Sequence, residues 1–272
     1  MTLCAIWEHD GMFHLASDSR ITFGQAGIAD IAIKIGREYY AIYGPSDNDG
    51  NKEKIASGDL AFCFAGSGIG AIFMKESLSG ILTELQVVPG QADISMAGLS
   101  QLIFEAYKAI SIELGKVLKD NSFVDLIIAG HCIEEKKYRS FRIYPIPFDQ
   151  NSHASQKYQI EEILHGESKY LFIGSGKNFA QSEFTKQTEG GLSKKILKTL
   201  WNVIKDNSRD DVGGSLQYGR FNNKKFQTYG VMEYTDNNDY GISYWRGALD
   251  LRLKEFDDKF CITYPYVIID DL

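Results

Sequence analysis

Thr2-Leu3-Cys4-Ala5-Ile6-Trp7-Glu8-His9-Asp10-Gly11-Met12-Phe13-His14-Leu15-Ala16-Ser17-Asp18 opens the chain behind Met1 and decides its fold. Asp10-Gly11 is a strong two-residue hairpin signal between two apolar, strand-like runs. Thr2–Glu8 and Met12–Asp18 therefore read as paired strands. A two-residue turn puts Thr2 opposite Ser19, beside Asp18. If Met1 is removed, Thr2 carries a hydroxyl and a free α-amine, a nucleophile and a base on one residue. An α-amine has a pKa of about 7.7–8.0, which suits a general base at neutral pH.

Working outward, Ile31-Ala32-Ile33-Lys34-Ile35 reads as a further strand, with the isoleucines on one face and Ala32 and Lys34 on the other. Tyr39–Tyr43 pairs back onto it in this reading. Gly44–Ser57 reads as an exposed loop, and Leu60–Ala65 as a strand ending at Gly66-Ser67-Gly68-Ile69-Gly70. Two helices follow. One carries a stripe of Ile69, Ile72, Phe73, Ile81, Leu82 and Leu85. The other is capped by Asp93 and carries Leu99, Leu102, Ile103, Ala106, Tyr107 and Ile110. Phe123–Cys132 and Tyr138–Ile146 read as a strand pair, and Tyr170–Ile173 as a short strand. Leu192, Ile196, Leu197, Leu200, Trp201 and Ile204 mark a third helix. Phe226–Tyr234, Gly241–Arg246 and Phe260–Ile269 read as strands. Helices arrive in blocks rather than alternating with strands, which argues against a doubly wound parallel sheet.

The 272 residues are 44% hydrophobic and 24% charged, as in a soluble globular protein. A net charge of −7 argues against a nucleic-acid partner. Cys4, Cys63, Cys132 and Cys261 form no CxxC pair, lie in apolar runs and read as buried free thiols of a reducing, cytoplasmic protein. Leu3–Trp7 lacks a basic lead-in and ends at Glu8-His9-Asp10, so no signal peptide is read. No apolar run approaches the roughly 20 residues of a membrane span. Gly174-Ser175-Gly176-Lys177 fails as a phosphate loop, because Leu171 and Asn178 stand where Gly and Ser or Thr are needed. His9, Asp10 and His14 flank a tight turn and are read as solvated rather than as metal ligands. No cofactor and no metal are expected.

The stretch formed by Thr2, Ala16-Ser17-Asp18-Ser19-Arg20-Ile21-Thr22 and Lys34, with equal spacings from Thr2 to Asp18 and from Asp18 to Lys34, resembles the proteasome β-subunit family of N-terminal-nucleophile (Ntn) hydrolases, bacterial proteasome-like homologues included. The resemblance implies an α+β fold, a four-layer αββα sandwich of two antiparallel sheets flanked by helices. It implies a single domain over residues 1–272, with an insertion over 37–58 and a strand-rich C-terminal extension from about residue 220. Thr2 would be the nucleophile, with Asp18 and Lys34 as the charge pair that tunes it. Thr22 would hold the substrate backbone. Phe64-Ala65-Gly66 resembles the strand end whose glycine N–H forms the oxyanion hole, which gives Gly66 that role and makes Phe64 a lining of the substrate pocket. Such a donor contributes about 3 kcal/mol to the transition state. Gly174-Ser175-Gly176 is similar to the family's Gly-Ser-Gly and maps Ser175 onto its catalytic-site serine. Ser208-Arg209-Asp210-Asp211-Val212-Gly213-Gly214 resembles the family's Arg-Asp-x-x-Ser-Gly-Gly and maps Asp210 onto its aspartate. Gly213 stands where that motif has a serine.

The implied function is threonine-type peptide or amide hydrolysis in a homo-oligomer, a ring or related assembly. Its substrate would be a peptide or protein, with no nucleic acid and no membrane partner. Nothing in the chain specifies an unfoldase. The alternatives are an inactive structural or binding subunit that keeps Met1 and a small-molecule amidase on the same fold.

Overall fold

The computed structural model describes residues 2–22, 27–90, 93–146, 156–206, 210–233, 242–245, 248–249 and 264–269. Met1, Ser208, Arg209, Tyr234, Gly241, Arg246 and Phe260–Thr263 with Cys261 lie outside the described residues. The chain forms two compact units, one from 1–36, 169–221 and 227–272, the other from 37–168 and 222–226.

The first unit begins with β1 (Leu3–His9) and β2 (Met12–Ser17), paired antiparallel from Cys4–Ser17 to His9–Met12. This is the register that the turn predicts. Asp10 and Gly11 take φ of 51° and 70°, the left-handed pair that a two-residue hairpin of native twist requires. The short β3 (Ile21–Thr22) and β4 (Ile28–Ala29) make a separate ribbon.

The second unit's sheet uses β5 (Ile35–Tyr43) and β6 (Lys54–Gly66), followed by α1 (Gly68–Leu82), β7 (Leu85–Gln86) and α2 (Met96–Leu118). Then come β8 (Val124–His131), β9 (Tyr138–Pro145) and β10 (Tyr158–Ile163). Its strand order is β10-β9-β8-β6-β5-β7, and the two-residue β5–β7 edge pair is parallel. Phe62, Met74, Leu78, Leu82, Ile103, Tyr107, Ile128 and Ile143 form the core between this sheet and its two helices.

The chain returns to the first unit through β11 (Tyr170–Gly174), α3 (Lys177–Lys186), α4 (Leu192–Lys205), β12 (Gln217–Asn222) and β13 (Lys225–Glu233). β14 (Ile242–Trp245), β15 (Ala248–Leu249) and β16 (Tyr266–Ile268) complete it. The order is β11-β1-β2-β12-β13-β14-β15, with β16 parallel on β13. Leu3, Ala5, Trp7, Phe172, Ile196, Leu200 and Val203 join this sheet to its helices.

The fold is α+β, with two largely antiparallel sheets, each backed by two helices. Several expectations need correction. His14, read as solvated, is buried, and β6 begins at Lys54, inside the stretch read as an exposed loop. Ile31–Lys34 is irregular, and the strand begins at Ile35 and runs on without a break through Tyr43. Ile31 and Ile33 are exposed while Lys34 is buried, the reverse of an apolar inward face. Lys34 makes strong polar contacts inside, and these outweigh the apolar pattern. On α1 the inward residues are Ala71, Met74, Leu78 and Leu82, and Ile69, Ile72 and Phe73 face outward. The cap of α2 is Ser95, whose hydroxyl accepts from Gly98 N–H at 3.0 Å. Asp93 instead receives the N–H of Ser95.

Candidate active site

Asp18 is the hub of the first unit. Just beyond the end of β2, Asp18 N–H donates to Leu3 O at 3.1 Å. Leu3 N–H in turn donates to Asp18 Oδ1 at 3.0 Å. The carboxylate thus replaces a ladder carbonyl, directly behind Thr2. Lys34 Nζ donates to the same oxygen at 2.7 Å. The other oxygen, Oδ2, accepts the N–H groups of Arg20 and Gly213, each at 3.2 Å.

Both charged side chains are out of water, Asp18 at 0% exposure and Lys34 at 2%. Burial pushes the Asp18 carboxyl upward from its ordinary value, while the Lys34 ammonium and the N–H groups of Leu3 and Gly213 pull the other way. Each carboxyl oxygen accepts two donors, so a proton there would displace one of them, and this donor set favours the carboxylate. Four donors offset much of the cost of burying the charge.

Lys34 is held in place by Gln217 on β12. Gln217 Oε1 accepts Lys34 N–H at 3.1 Å, and its Nε2 donates to Asp18 O at 3.1 Å and to Ala32 O at 2.6 Å. One amide thereby pins the 18 and 32–34 segments together. Ser19 Oγ donates to Asp30 O at 3.0 Å and accepts Ser215 N–H at 2.9 Å. Sequence reasoning missed Gln217, Asp30 and Ser215. The one signal was a glutamine inside the apolar run Leu216-Gln217-Tyr218.

Thr2 is buried. Its N–H donates to Ser175 Oγ at 3.2 Å, and its carbonyl accepts Gly176 N–H at 3.3 Å. Gly174 takes φ of 93° to turn the chain after β11. At Gly176 a Cβ would come within 2.9 Å of Val212 Cγ2 and 3.1 Å of Leu3 Cβ. Glycine therefore lets this turn close over Thr2 and Leu3. Two hydrogen-bonded pairs, Thr2–Ser175 and Asp18–Lys34, flank Leu3, the residue after Thr2, whose N–H donates to Asp18.

Thr22, Asp210, Phe64 and Gly66 take part in none of the hydrogen bonds described above. Thr22 is half-buried and pairs with Ile28 in the β3–β4 ribbon. Asp210 is exposed. Among the described residues it makes no hydrogen bond to Ser175, and its charge is felt at the Arg20 guanidinium. Phe64 and Gly66 belong to the second unit, at the end of β6. Gly66 takes φ of 103°, and a Cβ there would lie 2.5 Å from Phe123 O, so the position demands glycine. Among the described residues no cluster of His, Cys, Asp and Glu fits a metal ion. Among the described residues no helix is long and apolar enough to cross a membrane.

No protein-family model matches the sequence, and no curated protein matches it. Solved structures do. One is the helical assembly of the Anbu complex from Pseudomonas aeruginosa, with a TM-score of 0.58 at 16% identity, covering 87% of this chain and 88% of that one. Another is Anbu (ancestral beta-subunit) from Yersinia bercovieri, with a TM-score of 0.55 at 16% identity, covering 83% and 86%. A third is an Anbu (Gly-1) mutant from Hyphomicrobium sp. strain MC1, with a TM-score of 0.55 at 15% identity, covering 84% of each chain. At these identities the likeness carries the fold, which is the proteasome-like Ntn fold.

Proposed function

We propose that the chain, once Met1 is removed, is an N-terminal threonine hydrolase of peptide or amide bonds. The observation that carries this reading is the pair of contacts on Asp18 Oδ1, Lys34 Nζ at 2.7 Å and Leu3 N–H at 3.0 Å. A single carboxylate oxygen ties a buried ammonium to the residue that follows Thr2. The ammonium favours the Thr2 alkoxide and lowers the pKa of the freed amine, which then takes the hydroxyl proton and later passes it to the leaving amine. Water releases the acyl group from Thr2 Oγ. Ser175, whose hydroxyl accepts the Thr2 N–H, is the orienting partner of the amine.

Gly66 as oxyanion donor, Phe64 and Thr22 as substrate contacts, and Asp210 as a supporting carboxylate rest on the sequence resemblance. Assembly into a homo-oligomer is drawn from the likeness to the helical assembly of the Anbu complex. A small-molecule amidase differs in pocket alone, so a panel of fluorogenic peptides against simple acyl amides separates the two. Thr2→Ala should abolish hydrolysis with the melting curve unchanged. Full activity in that variant would remove Thr2 from the reaction.

A further inference from the structure

Gly213 stands where the resembling motif carries a serine, and the Arg20 guanidinium occupies the space that a side chain there would take. An ideal Cβ on Gly213 would lie 2.3 Å from Arg20 Cζ and 2.6 Å from Arg20 Nε and Nη2. Real Cβ atoms do not approach so closely, so a side chain at 213 would require the guanidinium to move and its fork on Asp30 to open. Arg20 Nε donates to Asp30 Oδ1 at 2.8 Å and Nη2 to Asp30 Oδ2 at 3.0 Å, a bidentate fork, and Nη1 reaches Val212 O at 3.5 Å. Gly214 is equally constrained, because a Cβ there would lie 2.3 Å from Ser19 Oγ. Backbone bonds complete the junction: Ser19 N–H donates to Gly213 O at 3.2 Å, and the N–H groups of Arg20 and Gly213 share Asp18 Oδ2.

We infer that Arg20, clamped by Asp30 and seated in the space over Gly213, is a positioning residue that aligns the Asp18 carboxylate for Lys34. In this chain a guanidinium and the side-chain-free Gly213 take the place of a serine, and the two solutions exclude one another. Arg20 acts through Asp18 and touches no reacting atom. The inference rests on the proposed role of Thr2, Asp18 and Lys34. A purely structural ion pair at this partly exposed position would contribute little, so the two readings separate experimentally.

The test uses the full chain prepared with Thr2 at its N-terminus. Three quantities are read: kcat and KM on a fluorogenic peptide, the pKa of the Thr2 α-amine by competitive acylation across pH, and the melting curve. Gly213→Ser should lower kcat by about 10-fold or more with little change in KM. It should also raise the amine pKa toward the ordinary range of about 7.7–8.0, as Lys34 loses its register. The double variant Arg20→Ala/Gly213→Ser, which makes room for the hydroxyl, should recover most of both losses. A Gly213→Ser chain with wild-type kcat and amine pKa overturns the inference, as does a double variant no better than Gly213→Ser. If Gly213→Ser does not fold, Asp30→Asn decides. It adds no bulk and releases the clamp, and an unmoved amine pKa would count against alignment by Arg20. A wild-type chain that cleaves no peptide defeats the functional reading alone, and the amine titration then still decides the role of Arg20.

Discussion

The donors on Asp18 come from separate parts of the sequence: Leu3, Arg20, Lys34 and Gly213. Removing the charge from such a centre has a separable effect on stability and on chemistry. Asp18→Asn leaves the Lys34 ammonium buried without its counter-charge, and urea denaturation should show a loss of about 3–5 kcal/mol. Asp18→Asn combined with Lys34→Met should recover much of that stability and none of the hydrolysis. A double variant as unstable as the single one would mean that the buried charge was not the cause. At this scale the sequence was readable where local geometry acts. The Asp10-Gly11 turn places Thr2 beside Asp18, as read. Lys34 reaches Asp18 from an irregular segment pinned by Gln217, not from the strand read over Ile31–Ile35. Its place in an apolar run marked Gln217, but nothing local marked its partners, Ala32, Lys34 and Asp18, which are all distant in the chain.

At the scale of elements, the β1–β2 hairpin carries its own pH sensitivity. His14 on β2 is buried, lies stacked on Trp7 at 5.2 Å, and has Nδ1 2.8 Å from the Tyr218 hydroxyl on β12. Its Nε2 has no hydrogen-bond partner among the described residues. Burial, reinforced by Arg220 and His9, lowers its pKa to about 4, while Asp10 and a backbone bond at His9 oppose this. The unfolded chain takes up the proton near pH 6.5, the folded one only near 4. The contribution of neutral His14 is therefore complete above 6.5 and is lost as pH falls from 6.5 to about 4, at up to roughly 1.4 kcal/mol per pH unit. His14→Phe should flatten the melting temperature over that window, and an unchanged slope would assign the sensitivity elsewhere. A second check concerns α1. Leu78→Ala, in the core, should cost about 2–5 kcal/mol, whereas the outward Ile72→Gln should stay within about 0.5 kcal/mol. The reversed ranking would restore the stripe read from sequence. That stripe misled because apolar residues lie on both sides of the helix, and size drew the eye to Ile72 and Phe73 rather than to Ala71 and Met74. α3 and β10 were missed for the opposite reason, being mostly polar and only half-buried.

For the whole molecule, the block order of strands and helices argued against a doubly wound parallel sheet, and the resemblance supplied the two antiparallel sheets with their own helices. The parallel edge pairs β5–β7 and β13–β16 were not legible, since two or three residues carry no periodicity. Assembly belongs to this scale. Analytical ultracentrifugation should find a species larger than the 30.5 kDa chain, and a monomer at all concentrations would contradict the homo-oligomer. The central claim concerns the unmasked second residue. The most direct measurement is intact-mass and peptide-mapping spectrometry of the chain from its native host, after exposure to a peptide electrophile that captures activated hydroxyls. The account predicts loss of one methionine and a single adduct on Thr2, absent in Lys34→Ala. A retained Met1, or an adduct that forms equally without Lys34, would contradict it.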